Sequence, residues 1–169
     1  MKEIALTKGQ IALVDDADFD FINQWKWYAF VSPRNNTYYA ARKTARDKSN
    51  FNKRETIIMH RQIMGVSDPK IEIDHEDKNG LNNSRSNLRQ ATRSQNNANR
   101  SSQINSSSKY LGVNWDAVRN KWRAMICKDN KRMHIGMYFK EEDAAIAYNT
   151  KAIELHGEFA NLNVLQNAV

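Results

Sequence analysis

Apolar residues fall along this chain in short, closely spaced runs, and the spacing within each run predicts an element. Ile4 to Val14 carries two such runs around Lys8-Gly9, the pattern of a hairpin of short strands. Phe19, Ile22 and Trp25 recur at helical spacing behind Asp15-Asp16. That predicts a helix over 15–25 with one of the two aspartates as its cap. Residues 25–31 and 37–42 read as strands joined by the turn Ser32-Pro33-Arg34-Asn35-Asn36. Residues 43–54, KTARDKSNFNKR, predict a charged loop. Glu55 to Met64 is apolar at Ile57, Ile58, Ile63 and Met64 and is helical by its end; residues 65–70 connect onward.

From Ile73 to Arg100 the pattern changes. The stretch IDHEDKNGLNNSRSNLRQATRSQNNANR holds little that could build a core. Ile71 and Ile73 alternate with Glu72, as in a half-buried strand, and Asp74-His75 ends it. A long turn through Asn79-Gly80 leads to Asn87-Leu88-Arg89, the start of a second strand. Thr92 caps a short helix holding Ser94, Asn96 and Asn99. Strand, loop, strand and helix thus follow one another within roughly thirty residues.

Residues 101–109, SSQINSSSK, are Ser-rich and read as a flexible linker and domain boundary. Beyond it YLGVNWD, KWRAMICKD and KRMHIGMYF predict three short strands, and KEEDAAIAYNTKAIELHG predicts a helix. Ala144, Ala145, Tyr148, Ala152 and Leu155 form its small, apolar face, which suits close approach to a sheet. Glu141, Glu142 and Asp143 sit in the first turn, where the helix dipole favours them, and Gly157 is the expected C-cap. The expected class is α+β, with a β-rich segment at 1–55, a polar core unit at 56–100, the linker at 101–109 and a sheet-on-helix module at 110–163.

Charge sharpens this picture. The 169 residues carry a formal charge of +7 and a pI near 9.5, a balance that favours a polyanionic partner. Cys127 is the only cysteine, which excludes an intramolecular disulfide and a cysteine-rich zinc site. The N-terminus lacks a basic segment followed by an apolar run, and no apolar stretch approaches the ~18 residues of a membrane helix. The expectation is a soluble, cytoplasmic protein with no membrane partner.

Asp-His at 74–75, Asn-Asn at 82–83, Asn-Leu-Arg at 87–89 and Gln-Asn at 95–96, with Asn99 shortly after, together carry a resemblance. They resemble the ββα-metal motif of HNH endonucleases, most of all the homing endonucleases of phages and bacteria. His60-Arg61 upstream fits the same pattern, so the resemblance spans Met59 to Arg100. It implies His75 as the general base, Asn87 as the residue that holds the loop, and a supporting role for His60. Chemistry gives these residue types a reason. Neutral imidazole can take a proton from water, its ordinary pKa being ~6.5. Mg²⁺, or Mn²⁺ in its place, is a hard ion that keeps several waters, so few protein oxygens suffice; Asp74 and Asn96 would supply them. Each residue alone also has a bland reading. A lone Asp-His pair is usually structural, and Asn-rich loops are usually turn chemistry. The combination favours the metal site.

In the last module Trp122, Ala124 and Ile126 alternate onto one face of a strand, and Met133 and Ile135 onto the same face of the next. With Tyr148 these face the helix. The other face collects Arg123, Arg132 and His134, with Asn114, Arg119, Lys121 and Lys128 nearby. A sheet fits the major groove of DNA, and arginine can read guanine edges there. YLGV, KWRAMI, IGMYF, EEDAAIAY and GEFANLN, within Tyr110 to Asn163, resemble the plant ethylene-response-factor (Apetala-two) DNA-binding domain. That implies a three-stranded sheet against one helix, with the sheet on DNA. Leu111, Asn114, Met125 and Cys127 depart from that family's pattern, so no base preference carries over. Nearer the N-terminus, Lys26, Arg34, Arg42, Lys43, Arg46, Lys48, Lys53 and Arg54 suggest phosphate contacts; the bland alternative is a solvated face.

The sequence thus reads as a Mg²⁺-dependent endonuclease that nicks or cuts double-stranded DNA, a phage or bacterial homing enzyme acting as a monomer without a small-molecule cofactor. One rival is a DNA-binding regulator with an inactive nuclease motif, against which the intact Asp74, His75, Asn87 and Asn96 argue. Another is an RNA-binding protein, for which no aromatic-rich strand speaks.

Overall fold

The computed structural model describes residues 1–33, 36–46, 54–99 and 106–165. The expected charged loop falls largely at 47–53, and the expected linker at 101–105, outside the described residues. Two compact units divide the chain, Met1–Ala91 and Thr92–Val169. No helix among the described residues is long and apolar enough to cross a membrane.

The first unit opens with the hairpin β1 (Lys2–Ala5) and β2 (Ile11–Val14), paired antiparallel. Lys8 and Gly9 turn it with φ of 61° and 65°. Helix α1 (Asp16–Ile22) follows. Asp15 stands at its N-cap position but caps no amide of the helix. Its carboxylate instead accepts from the backbone N–H of Arg85, at 2.8 Å. The helix stops at Ile22, short of Trp25, although Trp25 still packs against the core. Strands β3 (Tyr28–Val31), β4 (Tyr38–Lys43) and β5 (Thr56–Ile58) form an antiparallel sheet, and α2 (Met59–Ile63) continues directly from β5. Strands β6 (Glu72–His75) and β7 (Leu88–Ala91) make a second hairpin.

One core joins these pieces. Ile4, Val14, Ile22, Trp27, Met59, Ile63, Ile73 and Leu88 are buried in a single cluster. The β6–β7 hairpin is therefore anchored by Ile73 and Leu88 to the same interior as β1, β2 and α2. Its loop is anchored too. Leu13 of β2 donates to the Leu81 carbonyl, and the Asn83 amide donates to the Leu13 carbonyl, both at 2.8 Å. The Arg85 guanidinium grips both oxygens of buried Asp18 on α1, at 2.7 and 2.8 Å. A long polar loop is thereby fixed by backbone pairing on one side and a two-pronged ion pair on the other.

The second unit begins with α3 (Arg93–Ala98), closed by a capping box between Thr92 and Gln95. Strands β8 (Val113–Asp116), β9 (Lys121–Lys128) and β10 (Lys131–Tyr138) form an antiparallel sheet in the order β10-β9-β8. Helix α4 (Glu141–His156) packs on it through Ala144, Ala145, Tyr148 and Ala152, against Val113, Ala124 and Ile126. Gly157 ends the helix with a φ of 54°. Ser107 and Ser108, within the stretch expected to be a linker, hydrogen-bond this unit: their hydroxyls accept from the Trp115 and Tyr110 amides.

The inward and outward faces expected from alternation hold up to Ile135. There β10 bulges, between His134 and Gly136. The phase slips by one residue, so Met137 pairs with Arg123 and Tyr138 with Trp122. Tyr138 thus joins the core side, and Met137 joins the outward face.

Candidate active site and nucleic-acid interface

His75 is the last residue of β6, buried, with Leu88 as its cross-strand partner. The chain turns at once: the Lys78 amide donates to the His75 carbonyl at 2.9 Å, and Lys78 itself has a φ of 65°. The imidazole lies in a cluster of three rings. His60, from α2, is 5.0 Å away centroid to centroid, edge to face; Tyr39, from β4, is 5.7 Å from His75 and 5.8 Å from His60. Three elements of the sheet and the hairpin therefore meet at this imidazole.

Burial disfavours the charged form of both histidines. Burial lowers the His75 pKa below its ordinary value, against an upward pull from Asp77, the Asn83 amide and Asp74. For His60, burial, with the fields of His75 and Arg61, lowers the pKa to about 3. The His60 Nδ1 is buried and makes no hydrogen bond. Burial thus favours the neutral form of both rings.

Asp74, the preceding residue, faces the other way, as alternation demands. It is buried, and its Oδ2 accepts from both Nε and Nη2 of its cross-strand partner Arg89, each at 2.8 Å. Among the described residues no group of three or more His, Cys, Asp or Glu could hold a metal. A single buried carboxylate supplemented by amide oxygens suits a hard ion that retains its waters. Asn96 lies on α3, partly exposed, in the second unit.

The polar loop between the strands is an organised network. Asp77 accepts from the Asn79 amide at 2.8 Å, from Asn87 Nδ2 at 2.9 Å and from Asn82 Nδ2 at 2.7 Å. Burial alone would raise its pKa; these hydrogen bonds and the His75 field outweigh that and hold it below the usual carboxylate range. Asn87 is the hub. Its Oδ1 accepts from the Asp77 amide at 3.0 Å, and its Nδ2 also donates to the Asn82 carbonyl at 2.8 Å. Gly80 is needed because a Cβ there would lie 2.4 Å from the Tyr38 carbonyl oxygen and 2.6 Å from the Tyr39 ring. The loop thus seats directly on the tyrosine that touches both histidines.

Asn87→Ala is expected to lower stability in denaturant unfolding by about 1–3 kcal/mol, because Asp77 and the loop carbonyl lose buried partners. The cleavage rate should fall with it. Asn87→Asp should be worse, since it sets a carboxylate against that of Asp77. An Asn87→Ala protein as stable and as active as the parent would show that the hub does not order the loop.

Asn83 and Arg89 entered sequence reasoning only as members of the Asn-Asn and Asn-Leu-Arg motifs, with no role of their own; Asp77 and Tyr39 were not singled out. Asp77 and Asn83 sit in a stretch whose composition reads as turn chemistry. Tyr39 carries no local signal at all, and the pairing of Arg89 with Asp74 follows only from the strand register.

The family model described as HNH endonuclease matches residues 57–98, from β5 through α3. A protein named as an uncharacterized HNH endonuclease of Acanthamoeba polyphaga mimivirus is 33% identical over 156 residues, covering 92% of this chain and 76% of its own. The chain belongs to the HNH endonuclease family. The endonuclease is also similar to Protein 3.8 of Escherichia phage T7, 34% identical over 88 residues, which are 52% of this chain and 72% of that one.

The residues expected to touch DNA lie on or beside the outward face of the endonuclease's second unit. Asn114, Arg123 and Met137 form one row across β8, β9 and β10. Arg123 Nε donates to Asn114 Oδ1 at 3.1 Å. His134 and Arg132 are exposed on β10, opposite Met125 and Cys127, and Lys128 is exposed at the end of β9. Arg119, in the β8–β9 turn, is paired with Asp116 at 3.0 Å, and Lys121 lies over the Phe139 ring at 4.4 Å. Among the N-terminal cations, Arg42 is not a free phosphate ligand. Its guanidinium stacks on Trp25 at 4.2 Å and donates to Gln62 Oε1 at 2.9 Å. Lys26, Lys43, Arg46 and Arg54 are exposed, while Arg34, Lys48 and Lys53 lie outside the described residues.

Proposed function

We infer that the endonuclease hydrolyses phosphodiester bonds of double-stranded DNA, nicking or cutting it, with His75 as general base. The observation that carries this reading is a buried imidazole at the end of an HNH strand, packed against His60 and Tyr39 at the head of the Asn87 loop. His75 takes a proton from water as the water oxygen bonds to phosphorus and the bond to the 3′ oxygen breaks. The products are a 5′-phosphate and a 3′-hydroxyl. Asp74 is the oxygen donor of the first unit that this reading assigns to a divalent ion of the Mg²⁺ or Mn²⁺ kind. When bound, such an ion would supply charge neutralisation for the phosphate and the departing oxygen. Asn87 fixes the loop that carries the imidazole, and His60 and Tyr39 hold the ring edge-on. Arg89 orients Asp74. The basic sheet face of the second unit, through Asn114, Arg123, Arg132 and His134, holds the duplex. A homing role on a mobile element is part of the same reading and rests on the phage and viral relatives.

The test is incubation of the purified protein with supercoiled plasmid. With Mg²⁺ or Mn²⁺ the expected products are open circles, or linear DNA where both strands are cut. EDTA should stop the reaction, and returning the ion should restore it. No cleavage of plasmid or of viral and bacterial genomic DNA with either ion overturns the reading. Cleavage of single-stranded RNA in preference to duplex DNA would replace the substrate.

A further inference from the structure

The outward face of the second unit's sheet mixes cations with apolar side chains in a way that charge alone does not explain. Residues paired directly across antiparallel strands share a face. The rows on this face are Asn114–Arg123–Met137, Met125–His134 and Cys127–Arg132. Met125 and Met137 thus flank Arg123, one two residues along β9 and the other straight across on β10. The bulge at Ile135 is what turns Met137 outward.

These two methionines do not serve the core. Met133, which faces α4, packs into the apolar cluster around Ile126 and Tyr148; Met125 and Met137 belong to neither cluster of this unit. Both remain partly exposed. Cations share their face: Lys121, Arg123 and Arg132, with His134 directly opposite Met125. Asp116, the sole acidic residue in the three strands, is taken by Arg119. A surface so charged fits a polyanion rather than an apolar protein partner. Phosphate contacts position a duplex but carry no sequence. In the major groove thymine alone presents an apolar group, its C5 methyl. Methionine, unbranched and polarisable, adapts to such a group.

We propose that Met125 and Met137 read thymine through its C5 methyl, on either side of the arginine that Asn114 holds in plane. This rests on the reading that the sheet lies on duplex DNA.

Uracil pairs as thymine does and lacks only that methyl, so it isolates the contact. Duplexes are enriched from a random pool by the full chain, with EDTA present to prevent cutting, and remade with uracil in place of thymine. The parent protein should bind the uracil duplex more weakly, by roughly fourfold for each methyl contacted. A protein carrying both Met125→Ala and Met137→Ala should bind the two duplexes alike. Equal binding of both duplexes by the parent, while Arg123→Ala weakens both, overturns methyl reading and leaves the sheet on DNA. If Arg123→Ala binds as the parent does, the sheet is not the duplex-binding face and both readings fall. The uracil comparison on the parent decides the matter even where the methionine variants fold poorly.

Discussion

Replacing His75 with alanine is expected to slow plasmid cleavage by about 10²–10⁴-fold, the contribution of one positioned general base. The expectation follows from the surroundings of the ring. A solvated histidine would be replaceable by buffer or hydroxide at modest loss. His75 is buried at a strand end, its ring fixed by His60 and Tyr39, and its loop by the Asn87 hub. Burial lowers its pKa and so favours the deprotonated form, the one that can act as a base. Removal of a buried ring also leaves a void, so stability must be measured beside rate. His75→Asn fills much of the space without the basicity and should lose rate to a similar extent. Cleavage by either variant within a few-fold of the parent, with melting temperature unchanged, would remove His75 from the chemistry.

The largest structural effect is expected from Gly112→Ala. Gly112 has a φ of 74°, and a Cβ there would lie 2.2 Å from the Tyr148 ring and 2.5 Å from the Met125 carbonyl oxygen. Tyr148 is buried in the face of α4 that packs on the sheet, so its ring has nowhere to retreat. The backbone of Met125 is held close as well, since its amide donates to the Gly112 carbonyl at 2.8 Å. Overpacking costs about 1–3 kcal/mol, and a left-handed backbone with a side chain adds roughly 1–2 more. For a sheet and one helix that sum is a large share of total stability. Calorimetry should show a transition moved down or lost, and duplex binding should weaken with it. A variant that melts and binds like the parent would mean the helix can slide away from the sheet.

Much of this architecture was legible because periodicity and turn chemistry agree locally. The β6–β7 hairpin with its capped helix, and the three strands before an alanine-faced helix, are short elements bounded by Asn, Asp and Gly. The candidate residues Asp74, His75 and Asn87 sit within one such element and could be placed on it from the sequence; their roles belong to the proposed function. What failed did so through distance in sequence. Asp15 looks like a helix cap, but its carboxylate is drawn to an amide seventy residues away. Arg42 looks like a surface cation, yet two indoles offer its flat guanidinium a stacking face. Met137 looks inward-facing by strict alternation. Only Gly136 hints at the bulge that reverses it, since a Cβ there would meet the Tyr138 hydroxyl at 2.6 Å.

The polar network around Asn87 also bears on the order in which the first unit assembles. Its hydrogen bonds join residues five to ten positions apart, so little chain entropy is lost in closing it. The grip of Arg85 on Asp18 spans sixty-seven positions and can form only after the N-terminal hairpin and its helix arrive. A nascent chain can therefore shape its catalytic turn early and locally. The long-range ion pair then acts as the latch that docks an already formed piece, which places the slow step of maturation in docking rather than in shaping the turn.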